Sequence, residues 1–373
     1  MITTTKKNPN QEKPFIIKQL ISLTNEKIIA KGMDYVEEDT ELLMLDIFDS
    51  MGMVIFLTFV EETYNLQIPD EEVNPENFQD FDSIANLILK YKDLQGDSAI
   101  SSSKNESPVK RAITMVQNNQ IKSKEFQLSN GESLHTLSVE GEQDTWVLIP
   151  GLGNPSSSWV TILNGLYEDH NAYALDFNGF GVSSSINERP NFKNHYEAIS
   201  EFIEQIDEES LVLVGSSAGS MIAMEVARRF PEKVKALIIT GFGLVENSEA
   251  WWDNLQQLSK NPESFLTAAY HRPPELNATL ENLIKDVMSR PAYWSFLEGG
   301  GLEEMKICTD NINVPTLIVQ GESDQIIPKE AVTLAHQKIP NAKIEWLSRC
   351  GHFPPVEQPE ELIYVIKNFL EEL

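Results

Sequence analysis

Along the first quarter of the chain, apolar positions fall three or four residues apart. Phe15, Ile16, Leu20, Ile21 and Leu23 form one such stripe, and Ile28 and Ile29 follow after Thr24-Asn25. Leu42, Leu43, Leu45, Ile47 and Phe48 lead into Met51, Met53, Val54, Phe56, Leu57, Phe59, Val60 and Tyr64, and Ile68-Pro69-Asp70 ends that run. A last stripe passes through Ile84, Ala85, Ile88, Leu89 and Tyr91. This period predicts amphipathic helices, and the spacing reads as an all-α four-helix unit over 14–93. After residue 110 the pattern changes to short β-rich runs, most of them bounded by Gly or Pro, at 147–149, 172–175, 211–214, 236–239, 316–319 and 343–346. Helical segments separate them. Such alternation predicts a mostly parallel, doubly wound sheet covered by helices on both faces over 111–373.

Between the two patterns, residues 95–107 shift to Gly, Asp, Ser, Lys and Asn, with Ser101-Ser102-Ser103 at the centre. That is linker chemistry, expected over 94–110, and a flexible linker of this length has an r.m.s. span of about 20 Å. The chain is 373 residues long, more than one core usually supports, which agrees with two domains. A second interruption lies at 244–312, between two predicted core strands and too long for a turn. It is rich in aromatic residues (Trp251, Trp252, Phe265, Tyr270, Tyr293, Trp294, Phe296) and predicts a helical cap. Those residues either bury the cap on the sheet or line a pocket beneath it. Gly299-Gly300-Gly301 within it is a hinge or a plain loop.

The net charge of −28 disfavours nucleic acid and anionic membrane surfaces as partners. Two cysteines, Cys308 and Cys350, make no disulfide framework and fit a reducing compartment. The polar N-terminus lacks a signal-peptide core, and no apolar run approaches the ~20 residues of a membrane span, so a cytoplasmic protein is expected. The charge is concentrated. Residues 32–89 hold 15 aspartates and glutamates and no lysine or arginine. In their midst Asp49-Ser50 opens the long helical run. A serine there can be a plain N-cap, but a helix N-terminus also suits a phosphodiester, because free N–H groups and the positive dipole end meet the anion.

In the second domain, Gly215-Ser216-Ser217-Ala218-Gly219 sits between the apolar run at 211–214 and a helical segment ended by Pro231. Strand, sharp turn and helix in that order make a nucleophile elbow, with Ser217 midway between the glycines. A serine hydroxyl needs a base, and the base needs an orienting acid. Asp324, in Gly321-Glu322-Ser323-Asp324, and His352, in Cys350-Gly351-His352, each follow a predicted strand. Glu322 is a nearby rival acid. Gly241-Phe-Gly-Leu-Val, after the preceding strand, offers no carboxylate. His135, His170, His195, His271 and His336 lack a paired acid motif and are expected as surface or packing residues. No cluster has metal-ligand spacing. The N–H groups of Ala218 and of Leu152, in Pro150-Gly151-Leu152-Gly153-Asn154, are the candidate oxyanion donors.

Two resemblances join these readings. Residues 15–92, with Ile47-Phe48-Asp49-Ser50-Met51-Gly52 and Leu66-Gln-Ile-Pro-Asp-Glu-Glu72, resemble the acyl carrier protein family. That implies 4′-phosphopantetheine on Ser50, a thiol that holds acyl groups as thioesters, and partners such as a phosphopantetheinyl transferase and acyl-loading enzymes with basic surfaces. Residues 120–373 resemble the α/β-hydrolase superfamily, in which Ser217, Asp324 and His352 follow the expected chain order. Asp176-Phe-Asn-Gly-Phe-Gly-Val-Ser183 resembles a supporting segment of that superfamily, whereas Pro150-Gly151 departs from its usual His-Gly. Together they imply a carrier-tethered hydrolase acting on an acyl thioester. The alternatives are hydrolysis or cyclisation elsewhere on a carrier-bound chain, and an inactive shell that docks the carrier.

Overall fold

The computed structural model describes residues 9–25, 36–37, 40, 56–57, 60–61, 63–64, 66–69, 72–95 and 120–373, the last span without 246–247, 275, 277 and 306–307. The chain separates into two compact units, Met1–Asn118 and Asn119–Leu373.

In the first unit the described regular elements are helical. Helix α1 spans Pro9–Leu23, α2 Pro75–Phe78 and α3 Phe81–Gln95. Ile16, Leu20, Phe56, Val60, Ile68, Phe78, Phe81, Ile84 and Ile88 share one buried core, so the apolar stripes face each other. Each such side chain contributes about 1.5–3 kcal/mol on burial. Ile68 ends its run with its N–H held by Glu61 Oε1 at 2.8 Å. Glu72, within the acidic stretch, accepts from Lys90 Nζ at 2.5 Å and Tyr91 Oη at 3.0 Å, and the Lys90 bond holds its carboxyl below the usual range. Ser50, at the start of the second long predicted run, lies outside the described residues, as does most of the expected linker, whereas Phe56, Leu57, Val60, Glu61 and Tyr64 farther along that run are helical.

The second unit is an eight-stranded sheet in the order β1-β2-β4-β3-β5-β6-β7-β8. The strands are β1 Lys122–Gln127, β2 Ser133–Val139, β3 Gly141–Ile149, β4 Glu168–Leu175, β5 Leu211–Ser216, β6 Val234–Thr240, β7 Thr316–Gly321 and β8 Lys343–Leu347. From β4 onward in the sheet all pairs are parallel, whereas β1 with β2 and β2 with β4 are antiparallel. The central strands β5 and β7 are buried along their whole length, as apolar runs covered on both faces must be.

Helices α4 Val160–Leu166, α5 Phe192–Gln205 and α6 Ala218–Arg229 join the early strands. Helix α5 starts at a capping box in which the side chains and backbones of Asn191 and Asn194 satisfy each other's free groups. Between β6 and β7 the expected cap forms α7 Ser248–Ser259, α8 Pro262–Ala269, α9 Ala278–Ser289 and α10 Pro291–Phe296. Gly299-Gly300-Gly301 closes it in a π-helical turn, with Gly300 at φ 114°. Helices α11 Lys329–Lys338, α12 Pro354–Glu357 and α13 Pro359–Glu371 complete the unit.

The two antiparallel strands were not among the predicted runs. Strand β1 buries only Phe126 of its six residues, so it carries almost no apolar signal. Strand β2 buries polar residues, His135 and Thr136, alongside Leu134 and Leu137.

Candidate active site

Ser217 stands at the C-terminal end of β5, where the chain turns sharply into α6. Its φ of 52° and ψ of −118° are strained for a residue with a side chain. Neighbouring bonds hold it there: its N–H donates to Thr240 O at 2.8 Å, and its carbonyl accepts from Ser220 N at 2.9 Å. The flanking glycines are required by space. A Cβ at Gly215 would lie 2.5 Å from Gly219 O, and one at Gly219 would lie 2.3 Å from Ile149 O. The turn therefore closes only with hydrogen at both positions, and it lifts the Ser217 hydroxyl above the sheet edge.

His352 comes from the loop between β8 and α12, and Asp324 from the loop after β7. Ser217 Oγ lies 3.0 Å from His352 Nε2, and His352 Nδ1 lies 2.9 Å from Asp324 Oδ2. His352 and Asp324 are buried. Asp324 Oδ1 also accepts the N–H groups of Ile326 at 2.7 Å and Ile327 at 3.1 Å, and Oδ2 accepts from Gln320 Nε2 at 2.6 Å. Four donors fix its carboxylate. Glu322 is exposed and has no place in this chain of bonds. The segment 241–245 after β6 holds no carboxylate, and Gly241 has no room for any side chain, since its Cβ would lie 2.6 Å from His352 O. Serine, imidazole and carboxylate thus form a continuous relay built from three strand ends.

The candidate oxyanion donors flank Ser217. Ala218 is the first residue of α6, where an N–H has no acceptor within its own helix. The turn at 150–154 is folded by the bond from Asn154 N to Gly151 O at 3.0 Å, and a Cβ on Gly151 would stand 3.5 Å from Ser217 Cβ. Gly151 thus stands against the nucleophile, and the half-buried Leu152 is the next residue along the chain. The cap reaches the same turn: a Cβ on Gly153, at φ 85°, would lie 2.5 Å from Val287 Cγ1 of α9.

A second Ser/His/Asp set lies elsewhere. His135 Nδ1 is 2.8 Å from Asp176 Oδ2 and 3.4 Å from Ser156 Oγ. His135 therefore does have an acid partner, against the expectation that it stood alone. Here the carboxylate and the hydroxyl meet the same ring nitrogen, while Nε2 faces Ser123 Oγ at 2.8 Å. All three residues are fully buried. A proton relay needs serine and acid on opposite ring nitrogens and substrate access to the serine. This set instead ties β2, β4 and the turn after 150–154 together, because Asp176 also accepts the N–H groups of Ser156 and Val182.

The remaining histidines pack or brace. Burial among the rings of Phe177, Phe180 and Phe296 pushes His195 down to about 3, so it is neutral. His271 Nδ1 meets Ser323 Oγ at 2.7 Å, and His336 Nε2 meets Ala342 O at 2.9 Å. Two groups beside the relay do not stand out in the sequence: Gln320 on Asp324, and Glu357, whose carboxylate accepts backbone N–H groups on both sides of His352. Only the spacing of Glu357, five residues after His352, hints at the latter. Among the described residues no group of three or more His, Cys, Asp or Glu side chains could hold a metal ion, and no helix is long and apolar enough to cross a membrane.

Comparison with known proteins agrees with this geometry. Residues 145–280 match the family model described as the alpha/beta hydrolase fold. The second unit has the alpha/beta hydrolase fold. The chain is similar to 2-hydroxymuconate semialdehyde hydrolase of Pseudomonas putida, at 27% identity over 63% of the chain and 90% of the relative. It is also similar to the pimeloyl-[acyl-carrier protein] methyl ester esterase of Nitrosospira multiformis, at 25% identity over 64% of the chain and 98% of the relative. Among solved structures, a putative lipase from Acinetobacter baumannii superposes with TM-score 0.59 at 21% identity, covering 68% of the chain and 92% of that structure. At that identity the likeness concerns the fold of the hydrolase.

Proposed function

We propose that this chain is a carrier-tethered acyl hydrolase, with Ser217 as nucleophile, His352 as base and Asp324 as the acid that orients it. The observation that carries the reading is the unbroken bond chain from Ser217 Oγ through the two His352 nitrogens to Asp324 Oδ2. Ser217 attacks the acyl carbonyl as His352 Nε2 takes its proton. The oxyanion forms between the N–H groups of Ala218 and Leu152. His352 then gives the proton to the leaving group, and an acyl-enzyme remains on Ser217. Water, deprotonated by His352, releases the acid.

The tether is the Asp49-Ser50 segment, supported by its resemblance to acyl carriers. A phosphopantetheine arm on Ser50 would supply the thiol that holds the acyl group as a thioester. A linker of the expected length would keep that substrate at an effective concentration of about a millimolar, and a second copy could also deliver it. The basic-surfaced transferase and loading enzymes belong to this reading. A second reading leaves the thioester intact and places the cleaved bond elsewhere on the bound chain. It is favoured by the relative whose name specifies a methyl ester on an acyl-carrier-protein-bound acid.

Intact-protein mass spectrometry separates these outcomes. Incubation with coenzyme A and a pantetheinyl transferase should add one arm, absent in Ser50→Ala. After acyl loading, return to the free-thiol mass means thioester cleavage, and a smaller acyl remnant means cleavage further along. Ser217→Ala should preserve the loaded species. No mass gain at Ser50 would end the tether reading.

A further inference from the structure

Glu357 ends helix α12 and stands outside the relay. Its Oε1 accepts the N–H of Gly351 at 2.9 Å and of Phe353 at 3.3 Å, the residues on either side of His352. Its Oε2 accepts the N–H of His271 at 2.8 Å. One carboxylate thus grips both shoulders of the base and a point on the cap segment that leaves α8. That segment is stitched to the site at three further points. Ala269 O accepts the His352 N–H at 2.6 Å, Ala268 O accepts the Gln325 N–H at 3.0 Å, and His271 Nδ1 meets Ser323 Oγ. Gly351 has no room for a side chain, since its Cβ would lie 2.2 Å from Ala269 O and 2.9 Å from Glu357 Oε1.

We infer that Glu357 is a positioning residue for His352: it fixes the imidazole against the cap segment, and its negative charge stabilises the imidazolium formed when Ser217 gives up its proton. Burial raises the Glu357 carboxyl above its ordinary range, while the three N–H bonds and the nearby His352 oppose that rise. The titratable groups around the imidazole are Asp324 and Ser217, which touch it, Glu357 behind its loop, and Cys350, a thiol pushed up by burial and by these two acids. Asp324 orients the ring from the side; Glu357 holds the backbone from which the ring hangs.

The inference rests on Ser217 and His352 acting as proposed, so the test uses p-nitrophenyl butyrate with the full chain and includes Ser217→Ala. If wild type and Ser217→Ala hydrolyse it equally, the serine reading fails, and Glu357 is not at issue. Given a Ser217-dependent rate, Glu357→Gln should lower kcat about 10-fold or more with KM changed less than about twofold. Loss of the charge makes the imidazolium less favourable, so the acid limb of the kcat/KM profile should move to lower pH. Glu357→Asp keeps the charge but is one methylene shorter, so kcat should fall while the limb stays at its wild-type position. An unmoved limb in Glu357→Gln, or a kcat within about twofold of wild type, overturns the inference. Should Glu357→Gln not fold, Glu357→Asp carries the test: a wild-type kcat or a displaced limb overturns the inference, and a lowered kcat with the limb in place supports it.

Discussion

Asp324→Asn is the sharpest test of the relay, because the structure dictates how the amide must turn. The Oδ1 position faces two fixed backbone donors, Ile326 N–H and Ile327 N–H, and the Oδ2 position faces His352 Nδ1 and Gln320 Nε2. An amide keeps only one acceptor. With its oxygen toward the backbone pair, its NH2 meets Gln320, whose amide must turn to present Oε1, and His352 Nδ1, where it forces the tautomer that carries hydrogen on Nε2, which cannot take the Ser217 proton. The reverse orientation drives the NH2 against two buried N–H groups, at about 1–3 kcal/mol of stability. The first outcome is the milder for the fold and the worse for catalysis. Loss of the correct tautomer alone should lower kcat about 10⁴-fold, the scale seen for this substitution in serine proteases, or roughly 5 kcal/mol of activation free energy. Steady-state hydrolysis of p-nitrophenyl butyrate, with urea denaturation run on the same samples, separates the two effects. Retention of more than about a tenth of wild-type kcat by a folded Asp324→Asn protein refutes the reasoning. The exposed Glu322→Gln is the matched control and should leave the rate unchanged; if its rate collapses instead, the acid is misassigned.

Three further outcomes follow from the geometry. Ser156→Ala should keep kcat within about twofold and cost about 1 kcal/mol or less, since only a 3.4 Å contact with His135 is lost, and an inactive folded variant would transfer the chemistry to the buried set. Gly153→Ala should destabilise by about 1–3 kcal/mol and lower kcat, because its methyl meets Val287 at 2.5 Å from a φ of 85°; wild-type urea midpoints and rates would contradict this. Burial alone would raise the Glu132 carboxyl, but Ile186 N–H and the donors of Asn130, Ser185 and Asn178 outweigh it and hold it below the usual range. Its native-state pKa is depressed, so its contribution to stability is present above the ordinary glutamate value of about 4.3 and lost as pH falls through the native value. Glu132→Gln should therefore lower the urea midpoint at pH 7 and flatten its decline in acid; an unchanged decline would show the carboxylate to be irrelevant.

The relay was legible in sequence because each member sits in a short motif at a strand end. Gly215 to Gly219 and Gly321 to Asp324 each follow a buried apolar strand, and Cys350 to His352 follows the half-exposed β8; each turn has a glycine where a side chain would not fit. The cap was legible from the length between β6 and β7. Contacts that run through backbone atoms were not. Glu357 touches three main-chain N–H groups and so leaves no side-chain pattern, and Asp176 meets His135 only because β2 and β4 lie side by side. Polar residues inside β2 hid its period, and β1 hid behind its exposure. The first unit shows its apolar stripes as one core, while the serine that gives it a proposed chemistry lies outside the described residues.

The two outermost strands of the sheet carry their own protection. Lys122, Lys124 and Glu125 line β1, and Lys343 and Glu345 line β8. A second chain pairing along either border would have to strip water from ammonium and carboxylate groups while gaining only main-chain bonds. Growth by lateral strand addition, the route to amyloid-like ribbons, is thus opposed at both ends. A lysine-to-valine change at 122 or 124 would be the place where that resistance first gives way.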